Sequence, residues 1–135
     1  MRFLRILNVF FKGLEQRRLA EQRSYELLAA YLSPSQMAQF RTQGRFEVTG
    51  VDTNHRYVIR NVTTINVDEL DSRGNCIKRW CFVPKGDLPQ GDVLLAQKLA
   101  LECFEASALE AARAYTPDGF YISQLSATSR PAPLS

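Results

Sequence analysis

The residues able to do chemistry are few and scattered. His55 is the single histidine of the 135-residue chain, in the turn cluster DTNH beside Asp52. There are three cysteines, Cys76, Cys81 and Cys103. A Cys–His pair would be a nucleophile with its base, but nothing local places the two together, and a lone turn histidine reads as solvated. An enzyme built on it would need His55 beside a cleft, with Cys76, Cys81 or a carboxylate in reach. One histidine and no C-x-x-C spacing leave too few ligands for a zinc site. Asp68, Glu69 and Asp71 cluster around one strand, and Glu69 and Asp71 share a face. A solvated face, or a cross-strand pair with Lys78 or Arg79, accounts for them better than acid–base catalysis. No phosphate-cradling glycine loop occurs, and no cofactor is expected.

Basic and aromatic residues interleave in RYVIRN and IKRWCF, at Arg56, Tyr57, Arg60, Lys78, Arg79 and Trp80. Aromatics on a sheet face can stack bases. A nucleic-acid interface would show Arg56, Arg60 and Trp80 on one exposed face. The charge balance argues against it. Residues 1–23 hold six basic and two acidic side chains, a net of +4 out of +3 for the whole chain, so the remainder sums to −1. A backbone-tracking groove needs a positive excess that this body lacks. Trp80 is expected to anchor the core.

These side chains need elements to position them. At 45% apolar and 23% charged, the chain is neither disordered nor an integral membrane protein by composition. Its length suits one domain. The odd cysteine count does not fit a secreted disulfide framework, so reduced thiols in the cytoplasm are expected. In MRFLRILNVFFKGLEQRRLAEQR, Phe3, Ile6, Leu7, Phe10 and Leu14 recur at helical spacing. The segment is too short to span a bilayer and lacks a signal-peptide cleavage site. A second helical stretch, SYELLAAYL, follows. Ser33, Pro34 and Gln36 form a capping box with proline at the first helical position, and Gly44 is placed to end that helix.

Four β runs come next: FEVTGV, RYVIRN, TTINVDEL and CIKRWCFV, joined by DTNH and by DSRGN, in which Gly74 is available for positive φ. Asp52 and Asn54 can bond their own backbone in that first turn. After a Pro- and Gly-rich loop, Asp92 reads as an N-cap for a long helix over 93–115, free of Gly and Pro. Its core face is expected at Val93, Ala96, Ala100, Phe104, Ala108 and Ala111, widened by Leu95, Leu99 and Cys103 on one side and Leu94 and Leu101 on the other, with Glu102, Glu105 and Glu110 as acidic flanks. The fold class is therefore α+β: N-terminal helices, a four-stranded antiparallel β-meander, and a long C-terminal helix packed on the sheet. The domain boundaries are 1–23 for a basic amphipathic leader helix, 24–115 for a single α+β domain, and 116–135 for a tail whose last ten residues are expected to lack fixed structure.

The elements LSPSQ, FEVTG, RYVIRN, NVDELDSRGN, WCFVP and LPQGDVLLAQKLALE, over about residues 26–112, resemble a recurring module of small bacterial and phage-type proteins with no assigned activity. The resemblance implies a compact unit tethered to differing contexts, with the leader and the tail outside it.

The leader has three readings: it folds back over the open sheet face, docks in a partner's groove, or lies on an anionic membrane surface. The body already has helices enough to cover one sheet face, which favours docking. The expectation is a non-catalytic accessory subunit, cytoplasmic or peripheral to the inner face of a membrane. It would bind a larger protein assembly or a second copy of itself. Phe3, Leu4, Leu7, Phe10 and Phe11 would be the buried anchors, and Arg2, Arg5 and Lys12 the rim charges.

Overall fold

The computed structural model describes residues 2–122. The chain runs α1 (Arg2–Tyr31), α2 (Pro34–Gln43), β1 (Arg45–Thr49), β2 (Arg56–Arg60), β3 (Val67–Leu70), β4 (Cys76–Cys81), α3 (Gln90–Ala111) and β5 (Arg113–Tyr115). The class is α+β, with one antiparallel sheet in the order β1-β2-β3-β4-β5. The sheet has five strands rather than the expected four. The C-terminal helix stops at Ala111, and Arg113–Tyr115 pairs with Cys81–Arg79 of β4. Three residues carry almost no strand signal of their own, and the open edge of β4 supplies it.

Two expected helical segments are one. No Gly or Pro interrupts Arg23–Ser24, and the Ser24 hydroxyl donates back to the Glu21 carbonyl at 2.7 Å rather than capping a new helix, so α1 continues for 30 residues, about 45 Å. The boundary at α2 is as the residues dictate. The Ser33 side chain accepts from the Gln36 backbone, the Gln36 side chain accepts from the Ser33 backbone, and Gly44 closes the helix at φ 66°. Gln36 is itself buried, and its amide also donates to the Glu47 carbonyl at 2.8 Å, pinning α2 to β1. Gly74 takes φ 86° in its turn.

The register places Phe46, Val48, Tyr57, Ile59, Val67 and Trp80 on one face of the sheet, all buried. Leu28 of α1 and Leu94, Leu95 and Leu101 of α3 close over them as a single core. On the opposite face Asp68 lies 3.3 Å from Arg60 and 3.5 Å from Arg79. The expected cross-strand pair therefore involves Asp68, while Glu69 turns inward. A register shift at Glu69/Leu70 leaves both neighbours buried, which breaks the alternation that would set Glu69 beside Asp71. Asp71 instead accepts from the Arg73 and Asn75 amides in its turn.

The long helix differs most from expectation. It starts at Gln90, with Asp92 in its first turn rather than capping it. Beyond Gly91 its buried residues are Val93, Leu94, Leu95, Gln97, Lys98, Leu101, Glu105 and Ala108, so Val93 and Ala108 of the expected face are inside with Leu94, Leu95 and Leu101, while Ala96 and Ala111 are exposed and Phe104 is 69% exposed. Alanine buries too little area to orient a helix, so the leucines set the face. The helix also breaks at Phe104 (φ −142°, ψ 45°). The β1–β2 loop occupies the break. The Val51 amide donates to the Leu101 carbonyl at 3.2 Å, and the Asp52 carboxylate accepts from the Ala106 amide at 3.0 Å. Asp52 thus caps the second half of α3 instead of bonding its own turn. Residues 116–122 continue from β5 through a turn that brings Tyr121 against Tyr115. The rest of the expected tail lies outside the described residues.

Candidate functional site

Two groups of residues stand out: a polar chain through the core, and the free half of α1.

The polar chain is built on Glu105, which is fully buried. Its Oε1 accepts from the Asp52 and Thr53 amides at 2.9 and 2.8 Å, and its Oε2 accepts from the Thr53 hydroxyl at 2.5 Å and from the Tyr57 hydroxyl at 2.7 Å. The Tyr57 oxygen also lies 3.0 Å from Glu69, and Glu69 lies 3.3 Å from His55 Nδ1. In its Nδ1–H form His55 gives Glu69 a donor. The chain runs from exposed His55 through Glu69, Tyr57 and Glu105 to Thr53. Gly50 is part of it, because a Cβ there would lie 2.1–2.5 Å from the Glu105 carboxyl group.

Desolvation pushes the Glu105 carboxyl up. The hydrogen bonds from Thr53, Tyr57 and the loop amides outweigh it and hold the group below the usual carboxylate range. Burial, followed by the hydrogen bond to Glu105, raises the Tyr57 hydroxyl well above its ordinary value. The signs follow from linkage. Stability gained from Glu105 is complete above the unfolded carboxyl value of about 4.3, and is lost as pH falls through the lower folded value. Stability gained from neutral Tyr57 is complete below about 10, and is lost as pH rises toward its higher folded value. Urea midpoints measured from pH 2 to 11 should therefore fall at both ends. In Glu105→Gln the acid-side fall should be shallower, because a neutral amide has no proton to take up.

This chain holds the loop in the helix break, with the Glu105 carboxylate fully buried among its partners. His55 borders a cleft with Thr53, Asp71, Ser72 and Ile77 and has the Glu69 carboxylate in reach, which is the placement an enzyme built on it needs. All three cysteines are free, and Cys76 turns to the Lys78 carbonyl. Among the described residues, no three metal-ligating side chains are placed to share an ion. Trp80 is buried in the core, and Arg60 is engaged with Asp68, so Arg56, Arg60 and Trp80 do not form one exposed face.

The free half of α1 contrasts with this in every respect. From Arg2 to Ala20 no residue is buried, and Leu7 alone is half-buried. Phe3, Phe10 and Phe11 are 71, 59 and 61% exposed, and Leu4, Ile6 and Leu14 are also exposed. Arg2, Arg5 and Lys12 are exposed as well. The fold-back reading is thus not adopted, because α3 and the C-terminal half of α1 already cover the sheet. The first α1 side chain to engage the body is Glu21, whose carboxylate accepts from the Gln90 amide at 3.1 Å. Ser24 and Leu28 follow, both buried.

The phase of the helix decides what this half can meet. Leu7, Leu14, Glu21 and Leu28 are seven residues apart, so they lie along one side with a drift of about 20° per step. Leu28 is in the core and Glu21 is on the body, so Leu7 and Leu14 face the same way. The apolar side of the free half therefore overhangs the body by about 28 Å, leaving a step beneath it. Among the described residues, no helix is long and apolar enough to cross a membrane.

Comparison with protein-family models, curated proteins and solved structures finds no match to this chain. Sequence reasoning named the α1 residues and missed Glu105, Tyr57 and Thr53. The available signal was spacing: Glu105 follows Leu94 by eleven residues and Leu101 by four, which sets an acid on the leucine side of α3.

Proposed function

We propose that the protein is a non-catalytic accessory subunit that docks on a larger protein assembly through the free half of α1. The observation that carries the proposal is the uncovered apolar side of residues 3–14, continuous with the side by which the same helix packs on its own body. Phe3, Leu4, Leu7, Phe10 and Phe11 are the anchors, since buried aromatic and aliphatic side chains dominate such contacts. Arg2, Arg5 and Lys12 lie off the apolar side of the same half and add positive charge that steers encounter more than it sets affinity.

A protein partner is favoured over an anionic bilayer by the overhang. A helix lying on lipid turns its apolar side to a flat surface, and here the body projects from that same side. A protein element can enter the step, whereas a planar surface meets the body first. The Glu105 end of the polar chain is consumed in holding a loop, which leaves the free half of α1 as the larger uncovered feature.

Removing residues 1–20 should leave the urea unfolding free energy of the body within about 1 kcal/mol of the full chain's, since none of residues 2–20 is buried. The shortened chain should no longer co-purify with its native assembly, and Phe10→Glu in the full chain should lose it too. Retained association in both would overturn the proposal.

A further inference from the structure

Resting on that docking reading, we infer that the element seated on the free half of α1 is the same half of a second copy, running antiparallel in the step. Phe3, Leu7, Phe10 and Leu14 are spaced by four, three and four residues, the repeat that pairs two helices along a seam. Leu4 and Phe11 flank the seam on one edge, and Ile6 and Gly13 on the other.

The register is self-complementary. With two such helices antiparallel and centred between Asn8 and Val9, Phe3 meets Leu14 of the second copy and Leu7 meets Phe10 of the second copy. On the edges, Leu4 meets Phe11 and Ile6 meets Gly13. This gives Gly13 a purpose. A glycine inside a helix costs about 1 kcal/mol relative to alanine, and nothing of its own chain lies within 4 Å of the Cβ it lacks. Opposite Ile6 of a second copy, the missing side chain lets the two helices close.

Arg17 continues the seam row but lies two residues beyond the level that residue 2 of the second copy reaches. Arg5 and Lys12 project about 170° from the seam at 100° per residue, so both point to solvent in the pair. The step has room. Residue 2 of the second copy comes level with residue 15, six residues, or about 9 Å, short of Glu21, where the body begins. Each helix thus seats beneath the overhang of the other, with the two bodies at opposite ends.

Two heptads form less than a standard interface, so a dissociation constant of about 1–100 μM is expected. Sedimentation equilibrium on the full chain across that range should show reversible dimer formation. Phe3→Lys and Leu14→Glu should each be monomeric, and their equimolar mixture should dimerise again, because positions 3 and 14 face each other only in the antiparallel register. Gly13→Leu should weaken the dimer at least tenfold; on lipid the same change would strengthen binding. A full chain that stays monomeric to about 200 μM, a mixture no better than its parts, or flotation of monomers with anionic vesicles improved by Gly13→Leu would each overturn the inference. A monomeric full chain that still needs residues 1–20 for its native assembly sinks only the self-pairing. A chain that keeps that assembly without them sinks the docking reading itself.

Discussion

Replacing Glu105 by alanine should lower the unfolding free energy by about 3–5 kcal/mol, measured by urea denaturation at neutral pH. The carboxylate is fully buried and takes four hydrogen bonds, two from the amides of Asp52 and Thr53 and two from the hydroxyls of Thr53 and Tyr57. Alanine leaves the Asp52 and Thr53 amides and the Thr53 hydroxyl without that acceptor, leaves Tyr57 only Glu69, and opens a cavity between the β1–β2 loop and α3, and both effects destabilise. Glutamine should cost less, about 1–3 kcal/mol, because it keeps one acceptor oxygen while placing an amide against the same donors. The loss should be local before it is global. Amide exchange at Val51, Asp52 and Ala106 should quicken first, since their hydrogen bonds hold the loop in the helix break. An alanine variant within 1 kcal/mol of the parent would mean that the loop and the helix hold together without the carboxylate.

Gly91→Ala should cost about 3 kcal/mol or more, and it acts at the joint that aims α1. A Cβ at Gly91 would lie 2.4 Å from the Ser24 backbone carbon and 2.5 Å from its oxygen, so no rotamer change relieves the clash. The helices must separate, which also stretches the bond from the Gly91 amide to the Ser24 hydroxyl, now 3.1 Å. Gly13→Ala is the control, having open space around the position and no body contact. It should leave the body's urea midpoint unchanged. If Gly91→Ala matched that control, α1 would not be fixed to α3 at this crossing, and the direction of the overhang would not be set there. Because the crossing sets where the free half points, Gly91→Ala should also weaken whatever docks in the step, without touching any anchor residue.

Much of the architecture was legible because it is local. The Ser33/Pro34/Gln36 box and Gly44 bound α2 by themselves, since a capping bond spans three residues and a left-handed cap needs one glycine. Alternation marked β1, and Gly74 marked the turn between β3 and β4. The exposed apolar side chains of α1 were legible for a similar reason: apolar residues in excess of what the body can hide announce themselves by composition. The break between leader and domain was misplaced because a change in charge at Arg23 is not a helix terminator. β5 was missed because its three residues become a strand only beside β4.

The sequence by itself determined the α+β class, the capped helix, the meander and the presence of an unusually apolar basic start, all set by neighbours within a few positions. Only the tertiary structure decided which face of α3 is inside, that Glu105 rather than an alanine row lies against the sheet, and that the apolar side of α1 overhangs the body instead of resting on it. The physical reason is the same in each case. A buried carboxylate or an exposed phenylalanine is settled by which groups lie across from it in space, and those groups are some 50 residues or more away in the chain.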